Sequence, residues 1–137
     1  MRLARKTHYG IQILTYLAAH DTEWISLRTL AEELKIPLSF LKHIGLALKR
    51  SRILRSLGGV HGGYRLAKSP AEITLAMIFR SLGEMIRLEP CKAKQCNHTR
   101  CVTGRFWEGV SANITSAFER TTLEQVIRAS LLPQKST

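Results

Sequence analysis

"SLRTLAEELKIPLSFLKHIGLALKRSRILRSLGGVHGGYRLAK", residues 26–68, is the stretch that decides the fold. Ser26 is suited to cap a helix, because its hydroxyl can accept from the backbone N–H groups left unpaired at a helix start. Behind it Leu27, Leu30, Ala31 and Leu34 repeat at helical spacing, with Arg28, Glu32 and Glu33 on the opposite face. Pro37 ends this helix, since it cannot donate a backbone hydrogen bond and disfavours the α conformation at Ile36. A second helix then begins almost at once, with Phe40 or Leu41, Ile44 and Leu48 inward. Two short helices joined by a tight turn make a helix-turn-helix. Two β-prone runs, residues 53–57 and 64–66, flank Gly58, Gly59, Gly62 and Gly63, which predicts a hairpin with a glycine-rich tip. A hairpin directly after a helix-turn-helix is a wing.

Upstream, Leu3, His8, Ile11, Leu14, Leu17 and Ala18 predict a first helix ending near His20 and Asp21. Downstream, a fourth helix is predicted over residues 74–82, stopped by Gly83. Residues 103–120 then place Trp107, Val110, Ile114 and Phe118 on one apolar stripe. Little sequence remains to cover that stripe, so a second copy of the chain is the expected cover. Thr121 or Thr122, with Glu124 or Gln125 three residues on, starts a last short helix. The expected fold is therefore mainly α with a small β-hairpin: a winged helix-turn-helix head plus a long C-terminal dimerisation helix. Its divisions would be a DNA-binding domain over 1–82, a cysteine-bearing loop over 83–102, dimerisation and terminal helices over 103–130, and a flexible tail over 131–137.

The 137 residues carry 21 Lys and Arg against 10 Asp and Glu, a formal net charge of +11. Twelve basic and four acidic residues fall within 1–68, against nine and six in the remainder. A basic half of that kind is the footprint of a phosphate-binding protein. In a helix-turn-helix the second helix enters the major groove and a wing reaches the flanking groove or backbone. Ser39, Lys42 and His43 are then the candidate base readers. Arg28, Lys49, Arg50, Arg52 and Arg55, with His61 and Arg65 of the wing, are candidates for further contacts with double-stranded DNA, mainly its phosphates. No apolar run is long enough to cross a bilayer, and no secretion signal is recognisable, so a cytoplasmic protein without membrane attachment is expected. No phosphate loop, nucleophile–base pair or deaminase pattern is present, so an enzyme is not expected.

All three cysteines, Cys91, Cys96 and Cys101, lie five positions apart in "EPCKAKQCNHTRCVTG". Three thiols cannot all pair within one chain, and clustered cytoplasmic thiols serve metals or redox chemistry more often than structure. Thiolate is the ligating form, and Lys92, Lys94 and Arg100 would favour it. Three readings follow from the residues: an iron–sulfur cluster, a metal-free thiol–disulfide switch, or a zinc-stabilised module. His98, inside the loop, is a possible fourth ligand for zinc.

The opening "MRL", "YG" at residues 9–10, "LAEELKIPLSFLKHI", "GGYRLAK" and the three cysteines together resemble the Rrf-type (IscR/NsrR-like) family of bacterial winged helix-turn-helix transcriptional regulators. The resemblance spans about residues 1–128. It implies a homodimer on a palindromic operator, regulated through a 2Fe-2S or 4Fe-4S cluster on the three loop cysteines and responsive to iron–sulfur status, nitric oxide or redox state. IscR-like members carry a histidine shortly after the third cysteine, where this chain has Gly104. NsrR-like members use an acidic residue of the other subunit near the N-terminus, and the matching position here is His8. By resemblance, the fourth ligand is the partner subunit's His8, with His98 as rival.

Overall fold

The computed structural model describes residues 4–84 and 101–132. Their elements run α1 (Arg5–Ala19), α2 (Leu27–Leu34), α3 (Leu38–Arg50), β1 (Leu54–Leu57), β2 (Gly63–Leu66), α4 (Leu75–Ser81), α5 (Val102–Arg120) and α6 (Leu123–Leu131). The expected winged helix-turn-helix is present, with its turns made by the anticipated chemistry. Ser26 accepts from the Thr29 N–H at 3.1 Å to open α2, and Thr74 accepts from Met77 N–H to open α4. Thr122 and Gln125 form a reciprocal capping box at α6, which decides between the two threonines that the sequence offered. Lys35 closes α2 in the left-handed region, at φ 55°, and Pro37 stands at the N-cap of α3.

One core holds these elements together. Leu14 and Leu17 of α1, Leu30 of α2, and Leu41 and Leu48 of α3 are all essentially inaccessible. Each such side chain contributes on the order of 1.5–3 kcal/mol through burial. Leu41, not Phe40, is the inward residue of the ambiguous pair; Phe40 remains partly exposed and meets Tyr9 edge-on at 5.7 Å. The inner face of α1 is Thr7, Gly10, Ile13, Leu14 and Leu17. His8 is exposed, because the packed line runs at 7, 10, 14 and 17.

The hairpin pairs β1 and β2 antiparallel, in the register Leu54 to Leu66, Arg55 to Arg65, Ser56 to Tyr64 and Leu57 to Gly63. It is fastened to the head from two directions. Ile25 exchanges backbone hydrogen bonds with Tyr64, at 2.7 and 3.1 Å. At Gly63 a Cβ would stand only 2.2 Å from the Ile25 carbonyl oxygen, so this approach requires glycine. Tyr64 also lies against Gly45 of α3, where a Cβ would meet its ring at 3.2 Å. The wing is thus locked in position relative to α3.

The last helix packs into the head. Leu123 of α6 is fully buried in the head core. Its N–H donates to the Ile73 carbonyl at 2.7 Å, and Leu75 N–H donates to the Thr121 carbonyl. These contacts seat the start of α6 against the α4 end of the head. By contrast α5 fully buries only Gly104. It is tied to α4 through Phe118 on Phe79, edge-on at 4.8 Å, and through an Arg80–Glu119 ion pair at 2.8 Å.

Candidate nucleic-acid interface and cysteine site

The outward stripe of α3 consists of Ser39, Lys42, Leu46, Lys49 and Arg50, all exposed, opposite buried Leu41, Ile44, Gly45 and Leu48. These positions follow a helical period of three and four, so one face can lie along a groove. His43 is exposed as well, but it borders a shallow cleft of about 300 Å³ with Lys6, Phe40 and Leu82. It therefore stands at the edge of the reading face. Lys49 and Arg50 occupy the last turn of α3, where positive charge also complements the helix dipole.

Arg52 has an unexpected setting. The N–H of Arg52 donates to the Lys49 carbonyl, and that of Ile53 to the Leu48 carbonyl, both at 3.0 Å. These paired bonds are the Schellman closure of a helix, and its left-handed residue is usually glycine. Here that residue is Arg52, with φ 58°. Arg28, Arg55 and His61 are exposed, as the sequence placed them. Arg65 is different: it is partly covered, and its Nε donates to the Asp21 carbonyl at 2.6 Å. Both Arg55 and Arg65 lie over Trp24, at 5.6 and 5.7 Å from the ring centroid.

Sequence reasoning missed Trp24 and Val60. A tryptophan two residues ahead of a capping serine, in a basic head, was a usable signal for the first. Val60 is 96% exposed at the hairpin tip, where flanking glycines offer no side chain to cover it.

Of the three cysteines, Cys101 lies within the described residues; Cys91, Cys96 and the rival ligand His98 lie outside them. Cys101 is the N-cap of α5, half-buried, with its Sγ 3.0 Å from Thr103 Oγ1. Helix N-termini favour negative charge, so the position suits a thiolate. His8 is exposed on α1, with its ring 6.2 Å from that of Tyr9. Among the described residues no group of three or more His, Cys, Asp or Glu side chains comes together to hold a metal ion. The stripe expected to meet a second copy is uneven: Trp107 is exposed, Val110 and Ile114 are half-buried, and Phe118 is engaged by Phe79 of its own chain. No helix of the described residues is long and apolar enough to cross a membrane.

A basic exposed reading helix, locked to a wing, is the arrangement of a duplex-binding regulator, and the comparisons with known proteins agree. The family described as "Rrf2: Iron-dependent Transcriptional regulator" matches residues 3–129. The chain belongs to the Rrf2 family. It is 29% identical over 130 residues to the HTH-type transcriptional regulator IscR of Pectobacterium carotovorum, covering 93% of this chain and 79% of that protein. The solved structure of T. potens IscR superposes with a TM-score of 0.76 at 26% identity, over all of this chain and 93% of the other. CymR, the global cysteine regulator of B. subtilis, shares the fold with a TM-score of 0.78 at 23% identity, over 94% and 98% of the two chains. This Rrf2 protein is a DNA-binding transcriptional regulator of winged helix-turn-helix architecture, and it is not an enzyme.

Proposed function

We propose that this Rrf2 protein is a homodimer whose affinity for a palindromic operator is gated by an iron–sulfur cluster held by Cys91, Cys96, Cys101 and the partner subunit's His8. The observation that carries the proposal is the position of Cys101. It stands at the N-cap position of α5, a helix that among the described residues fully buries only Gly104, so a ligand change there would act directly on the dimerisation helix. That helix is tied through Phe118 and Phe79 to α4, whose Leu82 end packs against Gly10 of α1. Ile44 of α3 lies within reach of the same spot at Gly10, while His8, two residues earlier on α1, faces outward. Packed contacts therefore run from the Phe118 end of α5 through α4 and α1 to the reading helix, with Cys101 at the opposite end of α5. The named thiolates and imidazole would hold the cluster, which supplies a redox-active, signal-labile centre when bound.

On the DNA side Ser39 and Lys42 are assigned to base edges, with His43 at the margin. Arg28, Lys49, Arg50, Arg52, Arg55 and His61 are assigned to the backbone or flanking groove. Replacing Lys42 should change sequence preference, whereas replacing Arg55 should weaken all duplexes alike.

Absorbance and electron paramagnetic resonance spectra of anaerobically purified variants test the ligand set. Cys96→Ala should abolish the cluster, His8→Ala should leave an altered or labile one, and His98→Ala should change little. Native spectra in His8→Ala, with loss of metal in His98→Ala, would place the fourth ligand inside the loop. A colourless wild type with reducible disulfides would establish a thiol switch, and stoichiometric zinc a structural module.

A further inference from the structure

The cluster of Trp24, Arg55 and Arg65 at the base of the wing has no role in holding the core. Arg55 and Arg65 face each other directly across the β1–β2 ladder. Like charges in that register repel. Here the repulsion is not relieved by a countercharge, because among the described residues neither guanidinium lies within ion-pair distance of a carboxylate. Instead the two lie over one indole ring, at 5.6 and 5.7 Å from its centroid. Arg65 is fixed further by its bond to the Asp21 carbonyl, a neutral dipole. Two positive charges are therefore held side by side in a fixed orientation with anion capacity to spare. Guanidinium groups match phosphate oxygens in planar, bidentate fashion, and fixing them beforehand lowers the ordering cost of each contact.

The cluster is also rigidly indexed to the reading helix. Ile25, next to Trp24, pairs with Tyr64, and Tyr64 lies on Gly45 of α3. A ligand at the cluster thus stands in fixed register with whatever α3 reads. Free phosphate would gain nothing from that register, but a duplex backbone would.

We propose that Trp24, Arg55 and Arg65 form a preorganised clamp for a DNA backbone phosphate flanking the groove that α3 occupies. Arg55, the exposed member, makes the contact. Arg65 adds charge while anchoring the wing to the loop ahead of α2. Trp24 is a positioning residue that holds both guanidinium groups in place. This inference rests on duplex binding by the head, and it is independent of the metal ligands.

Binding of the full-length protein to a labelled mixed-sequence duplex, about three helical turns long, tests it by anisotropy across a salt series. Arg55→Gln should lower affinity roughly tenfold and reduce the log–log salt slope by about 0.9 for each wing engaged. Trp24→Leu, which keeps apolar cover without the aromatic face, should reproduce the loss in affinity. Combined with Arg55→Gln it should cost nothing more, whereas Trp24→Phe should retain wild-type binding. Additive losses, or a Trp24→Leu variant with wild-type affinity and slope, overturn the proposal. If Trp24→Leu is unfolded by circular dichroism, Trp24→Phe decides, since a tenfold loss there equally overturns it. Saturable binding of inorganic phosphate at millimolar concentration, lost in Arg55→Gln while duplex binding is not, would reassign the site to a free anion. An unaltered chain that binds no duplex at low salt contradicts the regulator reading itself, and the clamp with it.

Discussion

Replacing Arg52 with glycine should make the protein more stable and a weaker DNA binder, two effects of opposite sign from one side chain. Arg52 closes α3 at φ 58°, where an L-residue with a Cβ is disfavoured by about 1–2 kcal/mol. Glycine removes that cost but loses more conformational freedom on folding, by roughly 0.5–1 kcal/mol. A few tenths more are lost with the favourable charge near the helix C-terminus. The net gain is about 0.5 kcal/mol, or a melting temperature higher by roughly 1–2 °C in a chain of this size. If Arg52 holds a phosphate, the same change should reduce the salt slope by about 0.9 per subunit bound and weaken all duplexes similarly. Lys35 supplies an internal control. It has the same left-handed backbone, at φ 55°, in the turn between α2 and α3. Lys35→Gly should give a comparable stabilisation without altering DNA affinity. Thermal melts and anisotropy titrations on the two variants read both quantities. An Arg52→Gly variant with unchanged affinity and slope would refute the reasoning, since the arginine would then have no DNA role to account for its unfavourable backbone. A destabilised Arg52→Gly variant would show that the guanidinium is bonded within the folded chain.

Gly45→Ala should destabilise by about 1–3 kcal/mol and weaken DNA binding, because the added methyl meets the Tyr64 ring at 3.2 Å and forces the wing away from α3; denaturant melts check the first and anisotropy the second. Thr7→Val should stabilise by about 1 kcal/mol, because among the described residues the fully buried Thr7 hydroxyl has no hydrogen-bond partner, and a thermal melt reads the shift. Ile114→Asp should leave the head folded, since Ile114 is only half-buried in its own chain, yet convert dimers to monomers in sedimentation through the cost of burying an unpaired carboxylate.

Local chemistry was the most legible part of the sequence. Ser26 and Thr122 cap α2 and α6 as their positions implied, because a capping oxygen three residues ahead of an unpaired N–H is a purely local arrangement; Thr74, expected inside the fourth helix, caps α4 instead. Choices between neighbouring apolar residues were not legible. Phe40 and Leu41 both fit the period, and only packing sends Leu41 inward. The inner face of α1 was hard to read for a related reason: a helical stripe tolerates a one-residue rotation, and Thr7 and Gly10 are too small or too polar to mark it. Long-range events left no periodic signal. Leu123 enters the head core from the far end of the chain, and Arg65 reaches back to Asp21 across 44 residues. In the candidate site the basic residues were identifiable one by one, whereas their division of labour depends on Trp24, which lies outside both the helices and the wing.

The central claim, that a cysteine-held cluster sets DNA affinity, is tested most directly by titrating one labelled palindromic operator duplex with one anaerobic preparation before and after the cluster is removed by a chelator. The account predicts a coloured protein whose affinity changes at least tenfold as the visible absorbance is lost. Cys96→Ala should bind from the outset with the affinity of the cluster-free form. Identical affinities before and after removal, or a colourless protein whose affinity follows only thiol reduction, would contradict it.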